Sequence, residues 1–328
     1  MTIKEVAQLA GVSAAAVSRY MNGGPISGEK SERIRAVIER TGYRPNQAAQ
    51  SMRTGTSGQI GVIIPRVNSG SASEILDGVM ERLQEEQYMM ILGLTQGSHE
   101  AEMQYLEIMQ DNKVAGIILM GTGMTPALRD CIAGAACPVI VTGQKFSGVS
   151  CVFHDDYHAV KDLTKRALSR GRTELAYIGV SEDDVAVGAE RRRGAEDAVR
   201  EAGLAPEDCV WKITGFSFRN GEETMREIIQ EHPSVNGVIC ATDTLALGAM
   251  KALRDAGKRI PDDVVIAGVG DNWADQVSVP PLTSVHLYYR QCGVTAANIL
   301  LNRMETEAKG SPVTQTRLEC TVMERGTL

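Results

Sequence analysis

Residues 2–24 read TIKEVAQLAGVSAAAVSRYMNGG, and this stretch decides the fold of the first part of the chain. Thr2 and Glu5 stand three apart as a capping box, in which hydroxyl and carboxylate each accept from the other residue's backbone N–H at a helix start. Val6, Leu9 and Ala10 then recur at helical spacing until Gly11 breaks the run. Ser13 offers a second N-cap, the alanine-rich run after it has strong helix propensity, and Asn22-Gly23-Gly24 ends it. A third helix begins near Ser27 and carries an i, i+3, i+4 stripe of Ile34, Val37 and Ile38 before Gly42. Small Ala7 and Gly11 permit close crossing of the first two helices. The pattern predicts a helix-turn-helix whose second helix enters a major groove. An ordinary three-helix cap satisfies the same spacing.

Residues 43–65, YRPNQAAQSMRTGTSGQIGVIIP, continue outward from that module. Pro45 near the start and the run to Arg53 predict a short helix over 45–53, followed by a Thr/Gly/Ser linker at 54–58. A helix under about 12 residues is marginal alone in water, so this one is expected to fold only against a partner.

Charge separates the same two regions. The 328 residues carry a net −7, yet residues 1–58 hold eight Lys/Arg (Lys4, Arg19, Lys30, Arg33, Arg35, Arg40, Arg44, Arg53) against four Glu, a surplus of +4. The remainder therefore carries −11. A basic arm on an acidic body points to nucleic acid binding by the arm and another task for the body. The seven cysteines, at 131, 137, 151, 209, 240, 292 and 320, show no CxxC or Cys/His ligand spacing. Neither a disulfide framework nor a metal site is indicated, and no cofactor is expected. The start lacks a basic region followed by an apolar core, and no apolar run approaches the roughly 18 residues of a membrane span. A cytoplasmic location without membrane contact is expected.

From residue 59 the pattern alternates between strand and helix. Strands are predicted at 60–65, 88–94, 114–120, 138–142, 175–180, 238–241 and 264–268, with helices between them, one through Ile75, Val79 and Leu83 and another over 157–169. Alternation of this kind implies parallel sheets covered on both faces, and this many units implies two doubly wound lobes with a ligand crevice at the strand ends. The expected division is 1–58 for DNA binding and 59–328 for the two-lobed core. Enzyme motifs are sparse. Gly121-Thr122-Gly123 is a lone GxG, and His154-Asp155-Asp156 reads more simply as a loop capping the next helix. GxSxG, HExxH and Walker-type loops are absent from the sequence. The alternative from a different class is an α/β sugar-processing enzyme with an accessory DNA-binding domain.

Through TIKEVAQLAGVS, AVSRYMNG and YRPNQAAQSMRTG leading into IGVIIP, in that order, the chain resembles the lactose-repressor (LacI/GalR) family of transcription regulators. The resemblance implies an all-α helix-turn-helix domain with a hinge helix, and an α/β core like that of periplasmic binding proteins. It implies that Ser13 and residues 14–20 read the major groove, with Arg19 at the base-contacting position and Ala14, Ala15 and Ala16 leaving methyl contacts to thymine. Thr2, Ser18, Asn22 and Tyr43 complete that DNA-facing set. Paired hinge helices would enter the minor groove through Asn46, Ala49, Met52 and Arg53, with Met52 in the place of the usual leucine wedge and the operator kinked there.

The core is similar to trehalose-type and related disaccharide repressors through PRVNSGS, FHDDY, GAERRRGA, CATDTLALGA and LYYR. On that likeness Arg66 and Arg191 are effector-contacting arginines from opposite lobes, Phe216 stacks on the sugar and Tyr289 closes the site. Gln144 stands where the trehalose repressor has arginine, and Thr242 where many members have asparagine. Asp271 is the second acid of the family's GxDD motif, the first being absent from Gly268-Val269-Gly270-Asp271. By residue type alone, Arg191 beside Arg192 and Arg193 reads equally as solvated, and Phe216 as core. The implied partners are a near-palindromic operator, a disaccharide or sugar phosphate effector and a second copy of the chain. A homodimer is expected because the last residues are too short for a tetramerising heptad tail.

Overall fold

The computed structural model describes residues 1–21, 24–43, 57–305 and 312–328. Asn22 and the hinge helix expected at 45–53, with Asn46, Ala49, Met52 and Arg53, lie outside the described residues.

The expected capping box is formed. Glu5 N donates to Thr2 Oγ1 at 3.4 Å and Thr2 N to Glu5 Oε2 at 2.7 Å, starting α1 (Ile3–Ala10). Gly11 follows at φ 62°, a left-handed turn open to glycine without a Cβ penalty. α2 (Ala14–Met21) is capped by Ser13, whose Oγ accepts from Ala16 N at 3.2 Å. α3 (Gly28–Thr41) packs across both, and Arg33 Nη2 donates to Gly11 O at 3.1 Å, fastening α3 to the turn. Val6, Ala7, Ala10, Val17, Ile34 and Val37 form a small core of their own. Burying a side chain such as Val6 or Ile34 contributes roughly 1.5–3 kcal/mol.

The first lobe runs β1 (Gln59–Ile64), α4 (Gly70–Glu85), β2 (Met89–Leu94), α5 (His99–Asp111), β3 (Gly116–Met120), α6 (Pro126–Ala133), β4 (Val139–Thr142) and β5 (Cys151–His154). The chain then crosses into a second lobe through α7 (Asp156–Ser169) and β6 (Leu175–Gly179). A π-helical turn (Val185–Glu190) runs into α8 (Arg191–Glu201), followed by β7 (Val210–Ile213) and α9 (Phe218–Glu231). β8 (Gly237–Cys240), α10 (Asp243–Asp255), β9 (Val265–Gly270), α11 (Trp273–Val277) and β10 (Thr283–Leu287) complete the series. α12 (Tyr289–Glu305) and β11 (Gln315–Leu318) return to the first lobe, and β12 (Cys320–Met323) to the second.

The first sheet has the order β11-β5-β4-β3-β1-β2 with every pair parallel. The continuous apolar run of β1 follows from its position, since helices cover both of its faces. The second sheet, β12-β10-β9-β8-β6-β7, is parallel except at β12. This edge departs from the all-parallel expectation for a directional reason. β10 ends where the chain crosses to the first lobe and β12 begins where it crosses back, so the two neighbours run in opposite senses.

Candidate functional site

The helix-turn-helix presents α2 with Ser13, Ala15 and Arg19 exposed, Ala14 and Ser18 half-buried, and Thr2 exposed at the start of α1. Ala16, at 8% exposure, is turned into the domain beside fully buried Val17, so it serves packing more than base contact. Tyr43 is half-buried against the helical core. Arg19 carries no carboxylate partner among the described residues. An exposed guanidinium in the last turn of a short helix is free to bind a guanine edge or a phosphate in bidentate fashion.

In the core, both sheets point their carboxyl ends at the cleft between the lobes. Arg66, just past β1, reaches across it: its guanidinium carbon lies 4.1 Å from the centre of the Phe216 ring, which follows β7. Arg191 behaves differently. It is 3% exposed, donating from Nε to Asp156 Oδ1 at 2.7 Å and from Nη1 to Ala241 O at 2.5 Å, with Nη2 2.6 Å from the same carboxylate. Tyr289 lies against this pair, and burial pushes its phenol up to about 12, against the opposing pull of Arg191. Its ring meets His154 edge to face at 5.3 Å.

Gln144 joins the lobes. Its Nε2 donates to Asp184 Oδ1 at 2.8 Å and its Oε1 accepts from Ala186 N at 2.9 Å, while Val185 N donates to Thr122 O at 3.1 Å nearby. Burial raises the Asp184 carboxyl, opposed by the hydrogen bonds from Val187 N and Gln144. Thr242 is occupied as the N-cap of α10, accepting from Leu245 N at 3.3 Å. Asp271 is held by His286 Nδ1 at 2.9 Å and by Arg325 Nη2. The structure thus brings Arg66, Phe216, Arg191, Tyr289 and Gln144 to the cleft walls, with Thr242 and Asp271 engaged in capping and ion pairing at the second lobe's strand ends.

A buried acid pair lies beneath. Asp243 and Asp275 are almost wholly excluded from solvent. Ser284 Oγ donates to Asp243 Oδ1 at 2.6 Å, and Asp243 Oδ2 and Asp275 Oδ1 each have no other hydrogen-bond partner among the described residues. Burial, then the Asp243 charge, pushes Asp275 up to about 9, and burial raises Asp243 as well. Two carboxyls in this position are satisfied by one shared proton. Glycine makes the space: a Cβ at Gly268 would stand 2.4 Å from Asp243 Oδ1, and one at Gly270, where φ is 142°, 2.7 Å from Oδ2. The missing first acid of the GxDD motif therefore coincides with a position that a side chain cannot enter beside Asp243.

Residues 2–46 match the family model described as bacterial regulatory proteins, lacI family, and residues 164–328 match the periplasmic binding protein-like domain. The sucrose operon repressor of Staphylococcus xylosus is 30% identical over 92% of this chain and 93% of its own length. The chain belongs to the lacI family of bacterial regulatory proteins. Two solved members share the architecture. The transcriptional regulator CelR–cellobiose complex has 26% identity and a TM-score of 0.76, covering 100% of this chain and 99% of that one. The lac repressor dimer bound to operator and the anti-inducer ONPF has a TM-score of 0.90 at 20% identity, covering 100% and 98%, a likeness of fold. As a lacI-family member the chain is a DNA-binding transcription regulator and not an enzyme. Among the described residues no helix is long and apolar enough to cross a membrane.

Several residues of this lacI-family core escaped the sequence reading. Asp156 was visible only as part of FHDDY, where Asp155 does cap α7 by accepting from His158 N at 3.2 Å. The adjacent Asp156 instead holds Arg191. Asp184 and Asp275 have local partners only as caps, accepting from Val187 N and Asn272 N, while the contacts that matter here, Asp184 with Gln144 and Asp243 with Ser284, cross 40 and 41 residues of sequence.

Proposed function

We propose that this regulator represses sugar-utilisation genes by binding a near-palindromic operator as a homodimer, and that a neutral disaccharide in the interlobe cleft releases it. The observation that carries the effector class is the commitment of Arg191 to Asp156 and Ala241 O. A guanidinium neutralised inside the protein contributes hydrogen-bond geometry but no net charge for a phosphate. Arg66 remains without a carboxylate partner among the described residues, and the Gln144 amide adds no charge. One cation stacked on an aromatic ring suits a pyranose inserted between guanidinium and ring better than a dianionic ester. The names of two relatives, a sucrose operon repressor and a regulator in complex with cellobiose, support the disaccharide class. Trehalose-type specificity is one choice within it.

In this reading residues 1–58 form the operator-binding module, acting in the cytoplasm where the DNA lies, and 59–328 the effector-binding and dimerisation core. The hinge at 45–53 is the switch, folding when paired on the minor groove and lost when the lobes separate the two hinge segments. Coupling of about 1–3 kcal/mol between effector and operator suffices for such a device. Calorimetry with trehalose, sucrose and their 6-phosphates tests the effector. At least one neutral sugar should bind tenfold or more tightly than its ester. Binding of the esters alone rejects the neutral reading, and silence from all four rejects the disaccharide class.

A further inference from the structure

We propose that the seam between the two lobes, beside the Arg191–Asp156 pair, carries a second ligand site, separate from the Arg66–Phe216 cleft contact, for a small monoanionic molecule of about hexose size. A cavity of about 400 Å³ opens there, walled by Lys145 after β4, Phe153 and His154 of β5, Tyr157 on α7, Val185 on the π-helical turn and Arg193 on α8. Its volume falls in the range of small-molecule pockets. Arg66, Arg191, Phe216, Thr242, Asp271 and Tyr289 do not line it, and of the cleft residues only Gln144 and Asp156 reach it.

The ligand class follows from charge. Asp156 is spent on Arg191. Of the remaining ionic groups at the cavity, Arg317 pairs with Asp155 at 2.9 Å and Arg193 with Glu190 at 2.5 Å. His158 also turns its Nδ1 to Asp155, at 2.8 Å. Lys145 is left without a carboxylate among the described residues, its Nζ 5.9 Å from the Phe153 ring centre. One surplus positive charge over two aromatic walls, the other being Tyr157 under Arg193 at 4.6 Å, matches a single carboxylate on a compact polar body.

An independent observation points into the same place. His154 is 5% exposed, and its buried Nε2 has no hydrogen-bond partner among the described residues. Buried polar atoms are rarely left unpaired, and His154 is one of the residues lining the cavity. Burial depresses its pKa, and the unpaired Nε2 is placed to accept from a ligand hydroxyl. The same ring packs edge to face on Tyr289 of the cleft. A molecule held here touches Lys145, Phe153 and His154 on the first lobe and Val185 and Arg193 on the second. Its binding therefore biases the angle between lobes and acts on the cleft without entering it.

The test uses the full-length protein and calorimetry, with gluconate as the monoanionic probe and glucose as its neutral counterpart. Gluconate should bind at millimolar concentration or below, at least tenfold more tightly than glucose. Lys145→Glu and Arg193→Gln, both at exposed positions, should each weaken gluconate tenfold or more. Phe216→Ala, which alters the cleft alone, should leave gluconate within about twofold. Loss of gluconate in Phe216→Ala with no effect of Lys145→Glu would place it in the cleft and overturn the proposal. So would equal affinity for glucose, or no heat with gluconate. Failure of every disaccharide to bind would leave this site untouched, since it shares neither Arg66 nor Phe216.

Discussion

Arg66 and Phe216 lie on opposite lobes and touch across the cleft, with 4.1 Å between guanidinium carbon and ring centre. A cation on an aromatic face is worth about 0.5–2 kcal/mol depending on its exposure to water. The contact therefore holds the cleft shut weakly enough for a sugar to replace it. Phe216→Ala is expected to weaken the cognate disaccharide tenfold or more and to leave operator affinity without sugar within about twofold. Paired calorimetry and gel-shift titrations decide it; unchanged sugar affinity removes Phe216 from the site.

The Arg191–Asp156 pair has a different signature. Removing one partner of a buried pair leaves an uncompensated charge, at a cost of about 3–5 kcal/mol. Arg191→Ala is expected to fall in stability by that order, measured by urea unfolding. Arg191→Met combined with Asp156→Leu should recover most of the loss while still failing to bind sugar. A stable Arg191→Ala protein would show that the arginine is not committed inside the core.

The shared proton of Asp243 and Asp275 gives a pH dependence of defined sign. Asp275 is raised from the usual 3.8 to about 9, so the folded chain keeps a proton that the unfolded chain has released. Its contribution is fully present below about pH 4 and is lost as pH climbs towards 9, by up to roughly 1.4 kcal/mol per unit. Asp275→Asn retains a donor towards Asp243 without needing that proton. It should be more stable than wild type at pH 8.5 by on the order of 1–2 kcal/mol, with the advantage gone at pH 4.5. An advantage that grows on acidification would contradict the shared proton.

For the operator, Arg19→Ala should cost on the order of 1–3 kcal/mol and relax the choice at one base pair in each half-site. Binding-site selection on mutant and wild type reads this directly. A uniform loss over all sequences would make Arg19 a phosphate contact.

Trp273 and Val279 on the second lobe are 78% and 81% exposed, and Val279 lines a surface hollow with Val277, Phe218 and the basic Lys251, Arg254 and Lys258. A face of this kind on a regulator expected to be a dimer is the place for the second copy. Trp273→Glu with Val279→Glu should yield a monomer by light scattering and lower operator affinity by two orders of magnitude or more. A dimer persisting in that variant would locate the interface elsewhere.

The parts legible in the sequence were those whose signals are local. The Thr2–Glu5 box, the Ser13 cap and the apolar run of β1 each declare themselves within six residues. β11 and β12 did not, since QTRL and CTVM are half-exposed four-residue edges defined by strands more than 30 residues away. Arg191 was undecidable within its triplet because neighbouring helical positions differ by about 100°. The fold turns Arg191 inward and leaves Arg193 57% exposed. The Gln144 bond to Asp184 spans 40 residues and two lobes, beyond any periodicity.

The crossing of the chain between lobes sets the order in which the molecule can be made. Cys292, Ala296, Ala297 and Leu300 of α12 fill the same core as Ile60, Val62 and Ile118, and β11 supplies the sheet edge beside β5. Synthesis in chain order completes the three-helix module by residue 43, then some 250 residues more before the first lobe receives its covering helix. Until then its apolar face is open, and folding waits on contacts of very long sequence separation. A nascent or prematurely terminated chain thus holds a finished DNA-reading head on an unfinished core, and only near-complete synthesis yields a body able to pair two heads on one operator.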